Sequence, residues 1–220
     1  MYLRCRKYLT RLNIQLYTHL VPVGVRWAAA QRRYVKWAET PLPDAYLNYV
    51  RILGEEFSAF VGEPTRMIDV GCGNGVFNGV GYAEAGYLPL KRRGGYILGV
   101  DPLPLVNPIP WLSEFKQGRV EDLTFGEPFN EATFVTTFDH IADIDAALTR
   151  LKRAGVKTLF IWETIYRQHA NGDYDHPHHY TYAELATLLR RHRFKITRAD
   201  KKDENNETEG WFIEAKRPCV

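Results

Sequence analysis

The 220-residue sequence predicts an α/β fold: a seven-stranded, mostly parallel sheet with helices on both faces and an antiparallel last strand. Three observations predict it. Short apolar or β-branched runs alternate with amphipathic helical stretches through most of the chain. Several of these runs end on a glycine turn or an acidic residue, as parallel strands do where their carboxyl ends line a crevice. The last two runs are separated by a turn alone, and only antiparallel neighbours can be joined that way.

Composition sets the frame. With 45% hydrophobic and 25% charged residues, the chain has the make-up of a soluble globular protein, long enough for one well-cored domain and a small extra segment. The charge is uneven: residues 1–38 hold eight Lys or Arg and no acid, whereas the rest hold 21 basic and 26 acidic side chains. A basic leader on an acidic body suits an anionic partner, or a helix lying on an acidic face. Cys5, Cys72 and Cys219 are far apart and odd in number, which excludes a disulfide framework or a cysteine zinc site and fits a reducing cytoplasm. No apolar run approaches the roughly 18 residues of a membrane span. The N-terminus lacks a secretory signal core, although its Arg-rich, acid-poor character admits a transit peptide.

Residues 1–43 read as a basic helical extension or lid. Leu9, Leu12, Leu16 and Leu20 fall at helical spacing, and a second basic helix covers 26–39. The extension either caps the core or rests on lipid headgroups or another anionic partner, so that a cytoplasmic protein peripheral to a membrane is one expectation. The run from Thr40 to Asp44 is a break, and the main domain is expected over 44–220. Its first helix spans 44–61, with Tyr46, Tyr49, Val50, Leu53, Phe57 and Phe60 on one side.

A strand over 66–70 then runs into Asp69-Val70-Gly71-Cys72-Gly73-Asn74-Gly75. Alternate glycines suit a backbone that turns sharply and lies flat against a ligand, with the next helix, over 76–85, aiming its N–H groups at it. Residues 86–95 read as an irregular basic insertion. The strand over 96–100 leads directly to Asp101-Pro102-Leu103, where an acidic tip could hold a ribose diol. A proline-rich loop precedes a third strand over 114–117 and the segment containing Glu121 and Asp122. A fourth strand, 132–137, is followed by Phe138-Asp139-His140. A helix over 144–154 closes on Gly155, and a fifth strand over 157–162 ends at Glu163. The His-rich stretch 167–179 reads as loop. Thr181 and Glu184 form a capping-box pattern for a helix reaching about residue 192. Strands over 194–198 and 210–215 close the chain around a charged turn, 200–209.

These features together resemble the class I S-adenosylmethionine-dependent methyltransferases over about residues 44–217. The resemblance is carried by Ile68-Asp69-Val70-Gly71-Cys72-Gly73-Asn74-Gly75, by Gly99-Val100-Asp101-Pro102-Leu103, by 118–125 and by 138–143 with the helix after it. The sequence departs from the family wording at Lys152-Arg153-Ala154-Gly155 and at Thr124, which are packing positions. The resemblance implies a Rossmann-like fold and S-adenosylmethionine as cofactor. Asp69, Gly71, Cys72, Gly73, Asn74 and Gly75 would surround its methionine part. Asp101 would hold the ribose, with Pro102 and Leu103 beside it, and Glu121 and Asp122 would border the adenine. Phe138 and Asp139 would line the methyl-transfer side.

Methyl transfer needs positioning of the acceptor and removal of its proton. His140, His178 and Asp139 are the candidates for that work, against the plainer reading that the loop histidines pack and bond backbone. The ligand spacing of Asp173, Asp175 and the nearby histidines is too irregular for a metal site, and none is expected. The acceptor is expected to be a hydroxyl or amine of a small molecule or glycan. Alternatives are an RNA or protein substrate reached through the basic arm, a nicotinamide-dependent oxidoreductase, and a non-catalytic cofactor-binding protein.

Overall fold

The computed structural model describes residues 65–73, 87–88, 90–105, 107–166, 170–171, 178–204 and 208–218. The expected basic extension (1–43), the helices over 44–61 and 76–85, and Asn74 and Gly75 lie outside the described residues.

Seven strands form one sheet. They are β1 (Arg66–Val70), β2 (Tyr96–Asp101), β3 (Glu114–Gln117), β4 (Glu131–Val135), β5 (Thr158–Tyr166), β8 (Lys195–Glu204) and β9 (Thr208–Lys216); β6 (Ala170–Asn171) and β7 (His178–His179) pair separately. The order across the sheet is β3-β2-β1-β4-β5-β9-β8. Strands β1 to β5 pair in parallel, and β9 runs antiparallel to both β5 and β8. The antiparallel final strand therefore lies inside the sheet, between β5 and β8. The strand order reverses at β1, so a crevice opens beyond the carboxyl ends of β1 and β4.

The sequence places side chains alternately on two faces. Ile68, Val70, Leu98, Val100, Ala132, Phe134, Leu159 and Ile161 pack on one face with helices α1 (Ile144–Arg153) and α2 (Tyr182–Arg191). Met67, Ile97, Val135, Phe160 and Trp162 pack on the other with Tyr87, Leu90 and Trp111. Both faces are thus buried, which is what lets these parallel strands be apolar throughout.

The caps follow the sequence. Asp143 accepts the Ala146 N–H at 2.9 Å at the start of α1, and Gly155, at φ +90°, follows its end. The reciprocal Thr181–Glu184 capping box starts α2; removing such a cap costs about 1 kcal/mol. Asp145 on α1 receives Arg191 and His192 from the end of α2, His192 Nε2 at 2.6 Å, and clamps the two helices together.

Five local expectations are corrected. Residues 87–88 and 90–92 are helical rather than an irregular insertion, because Tyr87 and Leu90 bury against the sheet. Strand β4 stops at Val135, where Thr136 takes a left-handed φ of +53°. Strand β5 continues to Tyr166, because β9 supplies a partner beyond the end of β4. Strands β8 and β9 likewise extend into the charged stretch expected as a turn, and the His-rich segment contains the small β6–β7 ladder.

Candidate active site

The carboxyl end of β1 is built around two glycines. Gly71 has φ +73°, and a Cβ there would lie 2.4 Å from Thr137 Cγ2; the residue is glycine because the β4 exit packs on its backbone. Gly73 has φ +78°, but a Cβ there would meet no described residue within 4 Å. Among the described residues its backbone is left uncovered, as a floor for a flat ligand would be.

Asp101 ties that floor to the end of β2. Its Oδ2 accepts the Gly73 N–H at 3.0 Å and its Oδ1 accepts the Leu103 N–H at 2.9 Å. Burial raises its carboxyl to about 6 against the pull of those two N–H groups. Asp69 sits on the Tyr87 face of β1, where it accepts from the Tyr87 hydroxyl at 2.7 Å and from Thr133 at 3.1 Å. Burial likewise lifts it to about 6, and the nearby Asp101 adds to the rise. Cys72 points its thiol at the Gly73 carbonyl, 3.3 Å away. Burial first, then the charges of Asp69 and Asp101, push that thiol strongly up, so it stays protonated and is no nucleophile.

Pro102 and Leu103 continue from Asp101 half-buried along the same rim. The next loop separates its two acids. Glu121 is buried and held by Arg119, whose Nε lies 2.8 Å away, whereas Asp122 is exposed. Arg119 thus serves both acids, holding the Glu121 carboxylate closely and the exposed Asp122 at 3.7 Å from its Nε.

The opposite rim is the exit of β4. Thr136 donates its N–H to Trp162 O at 2.8 Å, Thr137 donates its hydroxyl to Val70 O at 2.9 Å, and Phe138 donates its N–H to Glu163 Oε2 at 2.9 Å. A 3-10 turn, Phe138–His140, follows. Phe138 and Asp139 are buried in it, and His140 Nε2 lies 3.8 Å from Asp139 Oδ1.

His178, on β7, comes to the same rim. Its Nε2 lies 3.2 Å from Ala142 O; a carbonyl only accepts, so Nε2 is the donor of that bond. That backbone bond is the role expected of a packed loop histidine, and it engages Nε2 rather than Nδ1. Its ring stacks at 5.5 Å on Tyr180, which meets Phe138 edge-on at 5.7 Å. Burial and the charge of Asp139 raise the Tyr180 hydroxyl.

The fold thus brings Asp69, Gly71, Cys72, Gly73 and Asp101 to one rim, and Phe138, Asp139, His140 and His178 to the other. Sequence reasoning missed Tyr87, Thr133, Thr137, Glu163 and Tyr180. Among them only Glu163, an acid at the end of an apolar run, carried a local signal. No metal-binding cluster occurs among the described residues, and no described helix is long and apolar enough to cross a membrane.

No protein-family model matches the chain, and no curated protein matches its sequence. Solved structures match in fold. One is 1,6-didemethyltoxoflavin-N1-methyltransferase of Burkholderia thailandensis, with 1,6-didemethyltoxoflavin and S-adenosylhomocysteine bound; it has a TM-score of 0.57 and 16% identity, over 76% of this chain and 77% of that one. Another is magnesium protoporphyrin IX methyltransferase of Synechocystis PCC 6803 with bound S-adenosylhomocysteine, with a TM-score of 0.54 and 14% identity, over 79% and 83%. A third is the (4+2)-cyclase SpnF, with a TM-score of 0.58 and 14% identity, over 79% and 81%. At these identities the likeness speaks for architecture, and a cyclase among the matches leaves the chemistry to the site itself. The architecture is plain: the chain has the Rossmann-like, seven-stranded fold of the class I S-adenosylmethionine-dependent methyltransferases.

Proposed function

We propose that the protein is an S-adenosylmethionine-dependent methyltransferase whose acceptor is a hydroxyl or amine of a small molecule or glycan. The observation that carries the reading is Asp101. Two backbone N–H groups fix its buried carboxylate beside the Gly73 backbone, at the tip of β2, where a ribose diol would donate to its remaining lone pairs. Bound there, S-adenosylmethionine would supply a methyl group activated on a cationic sulfonium.

The residues present fit that group. Asp69 and the Gly71–Gly73 backbone would receive the methionine end, and the carboxylates of Asp69 and Asp101 favour a nearby positive charge. Asn74 and Gly75 extend the same loop in sequence. Pro102 and Leu103 would flank the ribose, and Glu121 and Asp122 would border the adenine, the exposed Asp122 being the more accessible of the two. Phe138 and Asp139 would wall the methyl-transfer side. His140 and His178 are the groups that could take the acceptor's proton, His178 through Nδ1.

Two fold neighbours named as methyltransferases of small molecules support a small-molecule acceptor. A cytoplasmic location, which rests on the cysteine pattern, and a role for the basic residues 1–43 at a membrane surface, which rests on charge, belong to the same proposal. The test is to incubate the purified chain with methyl-labelled cofactor and a metabolite extract. One or more small labelled products, absent with Asp101→Ala, are expected. Label appearing only in RNA or protein would overturn the acceptor class.

A further inference from the structure

We infer that Glu163 is a positioning residue for methyl transfer, acting through the turn that walls the acceptor side; the inference rests on the function proposed above. Strand β4 pairs with β5 only as far as Val135 opposite Trp162. Glu163 is therefore the first β5 residue beyond the end of β4, and on its other side it pairs with Trp211 of β9. Strand alternation turns its side chain to the face of Ile161 and Ile165, the face that also buries Phe138. Glu163 is 3% exposed, an unusual place for a carboxylate in a core strand unless a donor meets it.

That donor is the Phe138 N–H, 2.9 Å from Oε2. This contact is the last of three that steer the chain out of β4. The Thr136 N–H is fixed on Trp162 O, and Thr137 is fixed on Val70 O. Thr136 holds a φ of +53°, which a β-branched residue adopts only when its surroundings enforce it. A backbone under that strain would relax if an anchor were lost. Phe138, Asp139 and His140 come directly after the anchors, so releasing Glu163 would move the whole acceptor wall. It would leave Asp101 and Gly73, on the other rim, in place.

The experiment uses Glu163→Ala, Glu163→Gln and Glu163→Asp in the full chain. Gln keeps an acceptor for the Phe138 N–H, Ala removes it, and Asp keeps the charge but withdraws it by one carbon. Amide hydrogen exchange is read at residues 136–141 and in β1 and β2, and S-adenosylhomocysteine affinity is measured alongside. Expected for Ala and Asp is about tenfold or faster exchange at Phe138 and His140, with β1, β2 and ligand affinity unchanged, and rescue by Gln. With labelled acceptor in hand, the same two variants would lose turnover at unchanged cofactor affinity. Unchanged exchange in both Ala and Asp, loosening across the whole sheet, or failure of Gln to rescue would overturn the inference. Failure of the wild type to bind S-adenosylhomocysteine would instead overturn the proposed function and leave the exchange result standing. Should the Ala variant not fold, the Asp and Gln pair decides.

Discussion

The two rims of the crevice are made of different materials. On the β1–β2 rim, backbone does the work: glycines in left-handed geometry, and a carboxylate, Asp101, oriented by two N–H groups from its own neighbourhood. On the β4–β5 rim, side chains do it. Phe138, Tyr180 and His178 pack in series, edge-on and then stacked, and Glu163 reaches across from the next strand. Backbone recognition suits a ligand that does not vary, whereas a wall of rings and turns can be reshaped without disturbing the sheet. The first rim is thus suited to a common cofactor and the second to a particular acceptor.

Mutations on the first rim should therefore cost the most. Gly71→Ala forces a left-handed alanine against Thr137, which joins the two rims, and should destabilise the fold by about 2–4 kcal/mol in chemical unfolding. Gly73→Ala meets no described residue, so its stability loss should be confined to about 1–2 kcal/mol of backbone strain while ligand binding suffers. Equal losses in the two variants would erase the distinction between a packing glycine and a ligand-facing one. Asp101→Ala should weaken S-adenosylhomocysteine by about 100-fold in calorimetric titration, since it removes a charged acceptor and frees the Gly73 and Leu103 N–H groups.

Acidity should separate binding from stability. Asp101 titrates near 6, so lowering the pH from 7 to 5 should protonate it and reduce affinity about tenfold. Apo stability should move the other way. The folded pKa values of Asp69 and Asp101 lie above the unfolded value near 3.8, so the folded state binds the extra protons. Their contribution to stability is complete below about pH 4 and is lost as the pH rises through about 6. Thermal unfolding of Asp69→Asn should show a shallower loss over that window; an identical slope would mean that Asp69 does not titrate there.

The second rim should give the smallest change. Tyr180→Phe keeps the ring contacts with Phe138 and His178, so S-adenosylhomocysteine affinity should change by less than about twofold. A large loss would mean that the rims are not separable.

The same contrast explains what could be read from the sequence. Asp69, the glycines and Asp101 were legible because strand, turn and acid follow one another within a few residues, and the mostly parallel sheet with its antiparallel last strand followed from the alternation of elements. Tyr87 and Thr133 were not legible as partners of Asp69, because neither lies near it in the chain. The end of β4 was misjudged because Thr136 and Thr137 favour strands by composition, while their real bonds go to Trp162 and Val70 on neighbouring strands. The extra length of β5 depended on β9, a partner some 50 residues away. Tyr180 gained its place only once β7 had docked beside Phe138.

The central claim, that the β1–β2 rim holds the methyl donor, is tested most directly by thermal unfolding of the wild type with S-adenosylmethionine, S-adenosylhomocysteine, NAD and NADP in turn. Stabilisation by the two sulfur compounds alone, growing with ligand concentration, is the predicted result. Stabilisation by a nicotinamide dinucleotide with no response to S-adenosylhomocysteine would contradict it.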